Sequence, residues 1–138
     1  MIDFNLQPKS ENGPAYEMRL FEQFSNSLDP RLRAVMLEVA RWSKAKFDKR
    51  LIYTCVNRTE AENIDVGGSK NSAHLFGRAL DIRVHNLTDD EVNHMVGYIN
   101  MHWLKDDPWL YVIVHGKGSN RHMHINIKYK YTHGSFAK

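Results

Sequence analysis

From His122 to Lys130 the chain alternates without a break. His122, His124, Asn126, Lys128 and Lys130 fall on one parity, and Met123, Ile125, Ile127 and Tyr129 on the other. A β-strand sends successive side chains to opposite faces, so such a segment covers a core with one face only. A one-residue slip in register would bury both histidines, so the pattern fixes which face is which. The segment from Arg78 to Val84 obeys the same rule: Leu80, Ile82 and Val84 point one way, Ala79, Asp81 and Arg83 the other. If these two strands are neighbours, imidazoles and a carboxylate meet on one polar face.

The remaining elements follow from local signals. Residues 1–16 have little periodicity and are expected to form an irregular lead-in, followed by a short helix from Ala15 to Ser25. Asp29-Pro30 is a helix start, an N-cap side chain followed by proline at the first helical position. Leu32, Val35, Met36 and Val39 then recur at helical spacing, carrying that helix to about Phe47. Leu51 to Val56 reads as a buried strand. Residues 57–71, with Gly67-Gly68, form a long connection with about one helical turn, and long loops of this kind are often functional. Thr88-Asp89-Asp90-Glu91 matches a capping box opening a helix through Val92, Met95, Val96 and Ile99. Trp109 to His115 reads as a continuous apolar strand. This order predicts an α+β fold: a small, mostly antiparallel sheet with helices on one face and the polar site on the other. Residues 1–138 are expected to form one domain, with 1–28 as its lead-in and 51–128 as the core around the site.

Composition narrows the function classes. The chain has 138 residues, 42% hydrophobic and 25% charged, as in an ordinary globular protein. Its net charge of +3 and pI near 9.0 could attract a polyanion. The basic residues are scattered, however, so no nucleic-acid partner is expected. No apolar run approaches a membrane span, and no secretory signal opens the chain, so it is expected to be cytoplasmic as synthesised, with no stable membrane association. A single cysteine, Cys55, excludes an internal disulfide framework and reads as a small buried hydrophobe.

The candidate chemistry lies in Ser72-Ala73-His74-Leu75-Phe76-Gly77-Arg78-Ala79-Leu80-Asp81 and in His122-Met123-His124. His74, Asp81 and His124 could supply three nitrogen and oxygen ligands to a zinc ion, whose fourth position a catalytic site leaves to water. Gly77 would let the chain turn closely between the first two. Manganese, cobalt or iron would also suit two histidines and a carboxylate.

Ser-x-His-x-x-Gly-x-Ala-x-Asp followed by His-x-His resembles the M15-type zinc D-alanyl-D-alanine peptidases and the related cell-wall endopeptidases of phages. These share a fold with the signalling domain of hedgehog proteins. The resemblance covers roughly residues 51–128 and implies that His74, Asp81 and His124 are the ligands of one zinc ion. It places His122 where the family has its general base, often a carboxylate; His122 could instead be a fourth ligand or simply exposed. Cys55-Val56-Asn57-Arg58 is similar to the family segment in which a strand ends in an arginine. Arg58 would then steady an oxyanion or hold a substrate carboxylate. Ser72 either hydrogen-bonds substrate or starts a turn.

What the resemblance implies is a monomeric hydrolase of peptidoglycan peptides, cutting at D-Ala-D-Ala, L-Ala-D-Glu or a cross-bridge. It would be a carboxypeptidase, or an endolysin that reaches the cell wall after release. The alternative within the same fold is a non-catalytic zinc-binding domain. His85, His94, His102 and His133 read as surface or helix residues, and His115 as the one of the remainder most suited to line a cleft. Trp42, Trp103 and Trp109 read as core.

Overall fold

The computed structural model describes residues 5–131. Five strands, β1 (Leu6–Pro8), β2 (Leu51–Cys55), β3 (Ala79–Arg83), β4 (Leu110–His115) and β5 (His122–Ile127), form one sheet in the order β1-β2-β3-β5-β4. β1 runs parallel to β2; every other pairing is antiparallel. Four α-helices accompany them: α1 (Pro14–Asn26), α2 (Pro30–Phe47), α3 (Glu60–Asp65) and α4 (Asp89–Ile99). The architecture is a mixed α+β fold.

The helix starts are set chemically. The Asp29 side chain accepts a hydrogen bond from the Arg31 backbone N–H at 2.9 Å, with Pro30 in the first turn of α2. Thr88 and Glu91 form a reciprocal capping box at α4, and Thr59 and Glu62 form a second at α3.

The apolar parity of each strand meets the helices in one cluster. Leu80, Ile82, Val84, Met123, Ile125 and Ile127 are fully buried with Leu32, Met36 and Val39 of α2 and Met95 and Ile99 of α4. Each such side chain contributes about 1.5–3 kcal/mol from burial. The opposite parity therefore has no choice of face. Asp81, Arg83, His122, His124, Asn126, Ile113 and His115 share the other side of the sheet.

Several expectations need correction. Part of the lead-in is ordered: Leu6 and Pro8 are buried in strand β1. β4 is the expected apolar strand, placed at the sheet edge, with Tyr111 and Ile113 exposed and Leu110 buried. β5 stops at Ile127, short of Lys130. α4 runs on into a wider π turn over Asn100–Leu104. Cys55 is not core: the register between β2 and β3 shifts between Tyr53 and Cys55, and this bulge turns Cys55 to the side of Asp81. His133 lies outside the described residues. Trp42, Trp103 and Trp109 do pack against the core. Among the described residues no helix is long and apolar enough to cross a membrane.

Candidate metal centre

Asp81 stands in the middle of the sheet, opposite His124 across the β3–β5 ladder. It is buried, and a buried carboxylate needs partners. It has three. His124 Nδ1 lies 2.9 Å from its Oδ1, His74 Nε2 lies 3.1 Å from the same oxygen, and an Arg58 guanidinium nitrogen lies 3.8 Å from Oδ2.

His74 reaches Asp81 from a short 3-10 turn, Ala73–Leu75. The Ser72 hydroxyl starts that turn by accepting a hydrogen bond from the His74 backbone N–H at 3.3 Å. Gly77 then brings the chain back into β3. Its φ is +69°, and a Cβ there would sit 2.5 Å from the Ser27 carbonyl oxygen, so no side chain fits.

Both imidazoles have their far nitrogens committed. His74 Nδ1 donates to the Val56 carbonyl at 2.7 Å. His124 Nε2 donates to Asn126 Oδ1 at 2.8 Å, and the Asn126 amide nitrogen donates to the Ile127 carbonyl at 3.1 Å, which orients that oxygen. In the neutral tautomers the near nitrogens therefore present lone pairs to an anionic oxygen. Such an arrangement is short of positive charge. Either protons or a cation must lie between. The metal-free protein uses protons: burial works against charge on His74, but hydrogen bonding to Asp81 and Cys55 outweighs it and raises its pKa to about 10. Burial likewise opposes charge on Asp81, yet the His124 and His74 contacts hold its carboxyl well below the usual range.

The donor set fits a divalent cation. Two nitrogens and a carboxylate converge, each imidazole is oriented by a second hydrogen bond, and zinc takes donors of these kinds. Cys55, His74 and Asp81 form another group that could hold a metal, with ligand atoms within 4.8 Å of one another. Cys55 Sγ lies 3.6 Å from His74 Nδ1, the nitrogen already engaged by Val56. A metal on that nitrogen would break the bond to Val56, whereas a metal on Nε2, the nitrogen facing Asp81, leaves it in place.

A cleft of about 680 Å³ opens over this centre, lined by Arg58, Gly67, Gly68, Ser72, Ile113, His115, His122 and the three convergent residues. His122 is half-buried and its Nδ1 donates to the Asn120 carbonyl at 2.8 Å, so its Nε2 faces outward as an acceptor. His85, His94 and His102 are exposed.

Asn63 has a role that sequence reasoning missed. It is buried in α3, its Oδ1 accepts from Arg58 Nη1 at 3.1 Å, and its amide nitrogen donates to the Ser69 carbonyl at 2.8 Å. Gly68 closes against this pair: a Cβ there would lie 2.0 Å from Asn63 Oδ1. A signal does exist in the Thr59-x-x-Glu62 capping box, which fixes where α3 begins and so places Asn63 one turn beyond Arg58.

The family model described as Peptidase M15 matches residues 17–103, more than half of the chain. The chain belongs to the M15 peptidases. The match contains Arg58, His74 and Asp81 and ends before His122 and His124, which reach the same site through the β3–β5 pairing. Neither a curated protein nor a solved structure matches the chain.

Proposed function

We propose that this M15 peptidase is a zinc metallopeptidase hydrolysing peptide bonds of bacterial peptidoglycan, with the hedgehog/DD-peptidase fold, its metal held by His74, Asp81 and His124. The observation that carries this reading is the pair of imidazoles, each locked by an outer hydrogen bond, converging on one carboxylate oxygen. A zinc ion bound there supplies Lewis acidity toward water and toward the scissile carbonyl.

The chain's own residues supply the rest. His122 Nε2 accepts the proton of the attacking water and returns it to the departing amine, the work of a general base that then acts as general acid. Arg58, fixed by Asn63, offers a guanidinium to the developing oxyanion or to a substrate carboxylate. Ser72, while accepting the His74 N–H, can still donate its own proton to substrate. Hydrolysis at D-Ala-D-Ala would release D-alanine and hydrolysis at L-Ala-D-Glu a stem peptide, and the lysis enzyme of a phage or prophage is the biological setting that suits such cleavage.

Digestion of purified peptidoglycan, with and without a chelator, followed by mass analysis of the released peptides, tests the reading. Chelator-sensitive release of D-alanine or of defined peptides supports it. Stoichiometric zinc with no release would instead make the protein a non-catalytic zinc-binding domain.

A further inference from the structure

His115 and His122 occupy opposite positions on β4 and β5, and their rings lie edge to face with centroids 4.0 Å apart. They stand two residues further along the strands than the Ile113–His124–Asp81 rung. That offset is about 7 Å, too far for either to join the first centre as it stands.

We propose that His115 and His122 form a second, weaker binding site for a divalent transition-metal cation at the mouth of the same cleft. Imidazole pairs suit zinc, copper and nickel. His122 donates from Nδ1 to the Asn120 carbonyl, which orients its ring and presents the Nε2 lone pair, the arrangement found in metal-ligating histidines. His115 is exposed, so its ring can turn about χ1 and χ2. An ion with bonds of about 2.0–2.1 Å can join the two rings once that rotation turns a His115 nitrogen toward His122 Nε2. Water completes the shell at this open position.

The charges nearby permit it. Asp81, one rung away, is offset by the first zinc, which weakens the second site, and Arg83, in the same row as His122, has its charge matched by Glu11. Burial and the neighbouring His122 both lower the pKa of His115, the direction that favours a neutral, metal-binding ring.

Two protein ligands bind less tightly than three, so the sites fill in order. Filling the second withdraws His122 from proton transfer; that consequence, unlike the site itself, rests on the peptidase reading. Excess zinc then acts as an inhibitor at the entrance to the cleft.

The test is equilibrium dialysis of untagged, metal-stripped protein over a range of free zinc, with bound zinc measured by elemental analysis. The expected result is one tight equivalent followed by a second, weaker one. His115→Gln and His122→Gln each lose only the second, and Asp81→Asn loses the tight one and keeps the other. A tight equivalent with no weaker one at any zinc concentration, or a second equivalent that survives in both histidine variants, overturns the proposal. Because the second site is read as bound zinc, it can stand even if no peptide is ever released from peptidoglycan. Loss of the tight equivalent from the wild-type protein would sink the catalytic-metal reading while leaving this one intact.

Discussion

His74 and His124 arrive at the same oxygen of Asp81, at 3.1 and 2.9 Å, from a turn and from a strand far apart along the chain. Asp81→Asn keeps the shape and removes the charge that both rings answer. Zinc affinity is expected to fall by more than about 100-fold, since loss of an outer-shell partner alone costs 10–100-fold. In chelator, breaking the buried pair should cost about 3 kcal/mol in urea unfolding. Competition with a chromophoric chelator and a denaturation curve check the two parts separately.

His122 lies across from Arg83 rather than Asp81, so it can work beside the metal without holding it. His122→Ala is expected to reduce peptide release by about 10²–10⁴-fold while the tight zinc equivalent stays. If the zinc leaves with the activity, His122 is a ligand.

Gly68 packs against the Asn63 amide that fixes Arg58. Gly68→Ala must push Asn63 away, and Asn63→Leu removes the acceptor altogether. Either should lower kcat/KM by about 10–100-fold with zinc content unchanged, most of the loss falling on kcat if Arg58 serves the transition state. Combining either with Arg58→Ala should add little, because the changes act through one guanidinium. Full additivity would mean that Asn63 does not act through Arg58.

Protons stand in for the metal in the stripped protein, and their linkage has a sign. The pKa of His74 rises from 6.5 to about 10 on folding, so its contribution is complete below pH 6.5 and disappears as the pH climbs toward 10. Asp81 shifts the other way from 3.8, so its contribution is present above that pH and is lost on acidification. Metal-free protein should therefore melt highest between pH 3.8 and 6.5 as far as this cluster decides, and its Tm should fall steadily from pH 7 to 10. Zinc-loaded protein should show a flatter alkaline limb. A Tm independent of pH over that interval in chelator would contradict the coupling.

The polar and apolar parities of β3 and β5 make Asp81 and His124 legible from residue order alone, because one face of a sheet over a core admits only one register. The Asp29-Pro30 and Thr88-Glu91 signals likewise mark the starts of α2 and α4. Three features escape such reading for physical reasons. β1 is three residues long, too short to show a period, and Pro8 can sit in it because β1 lies at the sheet edge. The bulge after Tyr53 is a matter of pairing between strands, so simple alternation from Leu51 assigns Cys55 to the wrong face. The contact of Asn63 with Arg58 and Gly68 depends on how a loop folds back, which no periodicity encodes.

Anomalous diffraction at the zinc edge, from crystals of protein loaded with one equivalent of zinc, tests the central claim most directly. The account predicts one peak, bonded at about 2.0–2.2 Å to His74 Nε2, His124 Nδ1 and an Asp81 oxygen. A peak bonded instead to Cys55, His74 and Asp81, with His124 turned away from it, would contradict the account.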